Sequence, residues 1–329
     1  MTNSTFIFGA GFTKSIFDSA PLNNQLIDAL LEINPTGPLK KFSDEYKSKD
    51  IELVLTKLDI DTQQGNYALE IRQEINAEIA NYFQRFRFRT EIMSDKTWLE
   101  RFAINSFAQN DVILNLNYDC FLEGLLDYAE VWNPNKGYGI IANQLVEDAH
   151  INPKNIQMLK IHGSENFSYQ PFDDKSESYF IAYEFNEAIF PKSAKNTFYG
   201  RRSITRAVSG STDVARPYII APSYVKIPSI EISYLMLDAI EAAKNSKNLI
   251  IVGCSMRPED SFLWLLLTRF FHNPNWMERK IILVDPQATI ISQKIKQHWG
   301  VNLDNSIVEI PLKLENALDD LLGSINNHS

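Results

Sequence analysis

The chain has 329 residues, 44% hydrophobic and 12% aromatic, enough apolar material for a sizeable core in one large or two ordinary domains. Its 32 Lys and Arg against 41 Asp and Glu give a net charge of −9, which argues against a surface that coats nucleic acid but allows a local basic pocket. Two widely spaced cysteines, Cys120 and Cys254, exclude a CxxC zinc site and fit a reducing compartment. No charged-then-apolar leader opens the sequence, so a cytoplasmic protein is expected.

In chain order, Phe6-Ile7-Phe8 reads as a buried strand over 5–9 that runs into Gly9-Ala10-Gly11. Glycines directly after a strand serve a tight turn or a close approach to the backbone. At the start of a βα unit the usual visitor is a phosphate held by free backbone N–H groups. The full dinucleotide fingerprint fails, because Lys14 stands where its third glycine belongs. A long helical insertion over 35–108 follows, with helices near 51–58 and 98–107 and an apolar stripe of Ile71, Ile75, Ile79, Tyr82, Phe83 and Phe86. It contains QRFRFR, in which Arg85, Arg87 and Arg89 alternate with Phe86 and Phe88. Such alternation suits a clamp on single-stranded nucleic acid, but the acidic total favours a helix end or a subunit interface, so direct nucleic-acid binding is not expected.

Further strands are predicted at 111–117, 157–161, 217–221, 248–253, 280–285 and 306–310, mostly continuous hydrophobic runs suited to parallel strands covered on both faces. The stretch 163–215, rich in Ser, Tyr, Phe and charge, reads as a small inserted module without zinc ligands. Its Arg201, Arg202 and Arg206 suit an anionic ligand or a partner, or simply a solvated loop. Strands interleaved with amphipathic stretches predict an α/β fold: one Rossmann-like domain over 1–329, its mostly parallel sheet covered by helices on both faces.

Open parallel sheets bind ligands at the carboxyl ends of their strands. Four predicted strands end on unusual residues: Gly9-Ala10-Gly11-Phe12-Thr13, Asn117-Tyr118-Asp119, His162-Gly163-Ser164 and Gly253-Cys254-Ser255, and the strand at 280–285 ends in Asp285. The order GAGFT, NYD, HG, GxS and a terminal acid resembles the sirtuin superfamily, whose members bind NAD in a Rossmann-type crevice and cleave its nicotinamide glycosidic bond. The resemblance runs from Gly9 to Asp285. Without the four-cysteine zinc module of the protein deacetylases, it is similar to the bacterial antiphage-defence branch of NAD hydrolases.

That resemblance implies an NAD glycohydrolase that depletes NAD in abortive infection, with NAD as substrate and no metal. It implies that Gly9, Ala10 and Gly11 admit the pyrophosphate, that the Thr13 hydroxyl meets a phosphate, and that Phe12 packs near the nicotinamide ribose. Gly253 and Ser255 would contact the adenosine side and Asp285 the adenosine-ribose hydroxyls, disfavouring NADP. Asn117 would hold the ribose hydroxyls or the attacking water, Asp119 would bind the carboxamide or order the loop, and His162 would accept a proton. Each has a plainer alternative. His162 suits a turn, Asn117, Asp119, Thr13 and Ser255 suit helix caps, Asp285 suits a turn start, the glycines suit close packing, and both cysteines suit buried filler. The other functions open are a zinc-free NAD-dependent deacylase and an NAD- or ADP-ribose-sensing scaffold. An unrestrained NAD hydrolase would drain its own cell, so control by self-assembly or a co-encoded regulatory protein is expected, through 82–89 or the surface near Arg201.

Overall fold

The structure, a computed structural model, describes residues 4–67, 69–132, 137–138, 154–170, 179–182, 216–220, 230–258, 260–299, 303 and 305–326. Most of the stretch 163–215 lies outside them, Arg201, Arg202 and Arg206 included. The strands are β1 (Ser4–Phe8), β2 (Val112–Asn115), β3 (Gln157–Leu159), β4 (Gly163–Gln170), β5 (Tyr179–Ala182), β6 (Arg216–Ile219), β7 (Asn248–Val252), β8 (Lys280–Val284) and β9 (Ile307–Ile310).

Strands β1, β7 and β8 are nearly continuous apolar runs, buried along almost their whole length as strands covered on both faces must be. They join a six-stranded sheet in the order β3-β2-β1-β7-β8-β9, every pairing parallel. That is the doubly wound order of a Rossmann-type fold, whose direction of winding reverses between β1 and β7. Phe6 and Phe8 of β1 anchor the core on one face: Phe6 lies 4.7 Å from Phe107, and Phe8 lies 4.9 Å from Phe12.

The strand predicted at 217–221 is present as β6 but lies outside the main sheet. It pairs antiparallel with β4, which also pairs antiparallel with β5, in a separate three-stranded sheet. An apolar run announces a strand without saying which partner satisfies its backbone.

The helical region divides differently from the expected 35–108. Side chains from Ala20 through Phe86 build a second core of their own, which includes Leu55, Leu58, Ile75 and Ile79. The helix Trp98–Asn105 instead sends Leu99, Phe102 and Ala103 into the core of the large sheet. QRFRFR is absorbed by the chain. Phe86 and Phe88 are 2% and 0% exposed, and the Arg87 Nε donates to both oxygens of buried Glu165 at 2.7 and 2.9 Å. Arg85 lies 5.1 Å over the Tyr82 ring, and Arg89 is exposed. These aromatic rings are therefore committed to internal packing.

Candidate functional site

A cavity of about 710 Å³ opens at the carboxyl ends of the parallel strands. Its wall takes Gly9 to Ser15 after β1, Leu116 to Asp119 after β2, His162 after β3, Val252 to Arg257 at the end of β7, Val284 to Gln287 at the end of β8 and Leu312 to Leu314 after β9. The helical lobe closes the other side with Asn23, Leu26, Glu52 and Phe83. All the predicted site residues, Gly9, Ala10, Gly11, Phe12, Thr13, Asn117, Asp119, His162, Gly253, Ser255 and Asp285, contribute to this one wall. The cavity straddles β1 and β7, the point where an open α/β sheet leaves a crevice for ligands, and its volume is ordinary for a small-molecule site.

The glycines answer first to the protein itself. A Cβ on Gly11 would stand 2.7 Å from the Gly253 Cα, and one on Gly9 would stand 2.7 Å from the Gly253 carbonyl oxygen. Gly253 has φ +60°, the left-handed region, and a Cβ there would meet the Phe12 nitrogen at 2.3 Å. The N–H of Gly11 donates to the Gly253 carbonyl at 2.8 Å, so it is engaged within the chain. The close approach read from the sequence thus includes the β7 loop pressing on the β1 loop. That loop bends again at Met256, a buried residue at φ +49°.

Asn117, Asp119 and Thr13 form one buried hydrogen-bonded group. The Thr13 hydroxyl donates to Asp119 Oδ2 at 2.8 Å, and Asn117 Nδ2 donates to the Gly9 carbonyl at 3.1 Å and to Thr13 Oγ1 at 3.3 Å. The Thr13 proton therefore points at Asp119 in this structure, not at an incoming phosphate. Asp119 Oδ1 also accepts the Phe121 N–H at 3.1 Å, a local i to i+2 contact just before helix Phe121–Tyr128, whose N-cap residue is Cys120. Burial pushes the Asp119 carboxyl above its ordinary range, opposed by the charge of Lys160 and by the Phe121 N–H and Thr13 hydroxyl.

Phe12 lines the cavity, but its ring is 1% exposed and packs among Phe8, Phe102 and Phe121. His162 is 5% exposed on the cavity wall, its carbonyl accepting the Ile220 N–H at 2.9 Å. Ser255 is exposed at the rim. Asp285 accepts the Gln287 N–H at 2.7 Å, so it starts a turn as well as lining the cavity; burial raises its carboxyl despite that donor. Burial pushes the Cys254 thiol up to about 12, which leaves it an inert wall group at neutral pH.

Sequence reasoning missed Arg257 and Glu52. Among the described residues Arg257 is the single arginine on the cavity wall, and its Nη1 reaches Glu52 Oε1 of the helical lobe at 2.7 Å. Asn23 Nδ2 donates to the same oxygen at 3.2 Å. Arg257 follows Ser255 by two positions in GCSMRPED, so a cation at that strand end was visible; Glu52, on a distant helix, was not. Among the described residues, no cluster of three or more His, Cys, Asp or Glu side chains has the geometry to hold a metal ion. Among them, too, no helix is long and apolar enough to cross a membrane.

No family model matches the chain, and no curated protein matches it. Solved structures do. The chain is similar to a Sir2 homolog in complex with NAD at TM-score 0.46 and 11% identity, over 99% of this chain and 91% of that one. It is also similar to two mutants of a Sir2 homologue in complex with ADP ribose, at TM-scores of 0.41 and 0.42 and 13% identity, over 99% of this chain and 92% of theirs.

Proposed function

We propose that the chain is an NAD⁺ glycohydrolase, converting NAD⁺ and water to nicotinamide, ADP-ribose and a proton. The observation that carries this reading is one cavity at the winding reversal of the sheet, walled by Asn117, Asp119, His162, the Gly253 loop and Asp285 together. NAD⁺ as the dinucleotide is what the resemblance of the motif order to the sirtuin superfamily implies.

The nicotinamide of NAD⁺ is a cationic leaving group. Breaking its glycosidic bond returns the bonding electron pair to the ring nitrogen and leaves an oxocarbenium-like ribose, so leaving needs no strong acid. The protein must hold the ribose in a reactive pose, admit one water to the opposite face and take that water's proton. Asn117 suits the first two tasks. Its amide is neutral and is fixed by the Gly9 carbonyl and the Thr13 hydroxyl. His162 suits the third, since an imidazole titrates near neutral pH. Asp119 orders the loop through Thr13 and Phe121, and its remaining acceptor capacity faces the carboxamide. Asp285 and Ser255 take the adenosine end, while Arg257, one of the cavity-lining cations with Lys14 and Lys313, reaches the pyrophosphate once it trades Glu52 for the ligand.

The test is product analysis with and without an acylated peptide. Nicotinamide and ADP-ribose in equal amounts without peptide support hydrolysis. Acyl-ADP-ribose formed only with peptide would make the chain a deacylase, and NAD⁺ bound but intact would make it a sensor.

A further inference from the structure

Beneath the Asn117–Asp119 loop lies a charged pair outside the cavity wall. Lys160 and Glu123 have side chains 0% exposed, with Nζ 2.7 Å from Oε1. The same ammonium donates to the backbone carbonyl of Asp119 at 2.6 Å. The other oxygen of Glu123 accepts from Asn115 Nδ2 at 3.3 Å, and Asn115 Oδ1 accepts the N–H of Asn117 at 3.1 Å. One chain of contacts thus grips the loop at Asn117 and at Asp119 from below. Lys160 belongs to the segment Lys160-Ile161-His162, so the anchor of the loop and the candidate base share three consecutive residues.

Stability alone does not explain this arrangement. Removing two charges from water is costly, and apolar side chains of similar volume commonly fill such a site at least as well. What they cannot do is donate to the Asp119 carbonyl. Burial works against the Lys160 charge, but the carboxylates of Glu123 and Asp119 oppose it and favour the ammonium.

We propose that Lys160 and Glu123 are positioning residues that fix the Asn117–Asp119 loop in register with His162. The catalytic consequence rests on the proposed NAD⁺ cleavage; the positional claim does not. Rate is sensitive to such placement, since displacing a reacting group by about 1 Å costs on the order of a hundredfold.

The experiment compares the full chain with the double variant Lys160→Met/Glu123→Leu by thermal unfolding, amide hydrogen exchange, and kcat and KM for NAD⁺. The expected result is a folded protein with faster exchange at 116–121, a kcat lowered by about ten- to a hundredfold and a KM little changed. A folded double variant with wild-type exchange at 116–121 and wild-type kcat overturns the proposal. Should that variant not fold, Glu123→Gln decides, because it removes the charge anchoring Lys160 while keeping an acceptor. A smaller increase in exchange and a smaller fall in kcat are then expected, and no change in either overturns the proposal. If the wild-type chain leaves NAD⁺ intact, the proposed function fails, and the exchange at 116–121 alone decides the positional claim.

Discussion

Asn117 and His162 follow the paired parallel strands β2 and β3, in register from Val112 opposite Gln157 to Leu114 opposite Leu159, and both line the same cavity. Replacing either by Ala is expected to lower NAD⁺ cleavage at least about a hundredfold, the effect of losing a general base or a key positioning group. Circular dichroism should show the fold intact; near-normal turnover would remove that residue from the reaction. Asp111 makes a different prediction, about stability. Its Oδ1 accepts the Ser4 N–H at 2.9 Å and its Oδ2 the Ala108 N–H at 2.8 Å, but burial outweighs them and raises its pKa to about 6. A carboxyl raised in this way binds its proton more tightly when folded. The stability it contributes is complete below the unfolded pKa of about 3.9 and is lost as pH rises through the folded value. Subtracting the Asp111→Asn stability–pH curve from the wild-type curve should leave a component that falls between about pH 4 and pH 6. A flat difference would mean that Asp111 does not titrate in this window.

Between elements, the tightest joint is the contact of the β1 and β7 loops, where Gly11 and Gly253 touch through backbone. Gly253→Ala would place a methyl group 2.3 Å from the Phe12 nitrogen at φ +60°. A loss of at least ~1–3 kcal/mol is expected, read by denaturant unfolding, together with weaker ADP-ribose binding as the cavity wall shifts. Unchanged stability would show that the two loops part readily. This joint was half legible in the sequence. Glycines after Phe8 and Val252 announced close approach, but a single chain of letters does not say that each glycine approaches the other. β1, β7 and β8 were legible because their apolar runs are unbroken. β4 was not, because Ser164, Glu165 and Asn166 are buried polar residues whose partners lie far away in sequence: Glu165 takes Arg87, Asn166 takes Tyr138, and Ser164 takes Cys120 and the Tyr118 carbonyl. Which core the last helix of the expected 35–108 insertion joins was not legible for a related reason. Periodicity shows that the helix Trp98–Asn105 has an apolar face, but not which of two cores that face enters.

For the whole molecule, the winding reversal of the sheet and the helical lobe border the cavity, and the strand-end residues that met there were legible because a parallel sheet gathers its carboxyl ends on one rim. If the chain is the proposed NAD⁺ glycohydrolase, control by assembly is the proposed restraint on it. The rings of Phe83, Phe86 and Phe88 are buried while Arg85 and Arg89 are exposed, so an assembly through 82–89 would meet those two arginines. It predicts slow NAD⁺ loss by the dilute chain and faster loss on concentration or on addition of a co-encoded partner; a concentration-independent monomer at full speed would refute it. The most direct measurement of the chemistry is the reaction of NAD⁺ in ¹⁸O-labelled water, followed by mass spectrometry of the products. Hydrolysis at this cavity predicts one nicotinamide released per ADP-ribose formed, with the label on the anomeric carbon freed by nicotinamide, and loss of both products in Asn117→Ala and His162→Ala. Nicotinamide release that requires an acylated peptide, or labelled ADP-ribose formed at the wild-type rate by both variants, would contradict it.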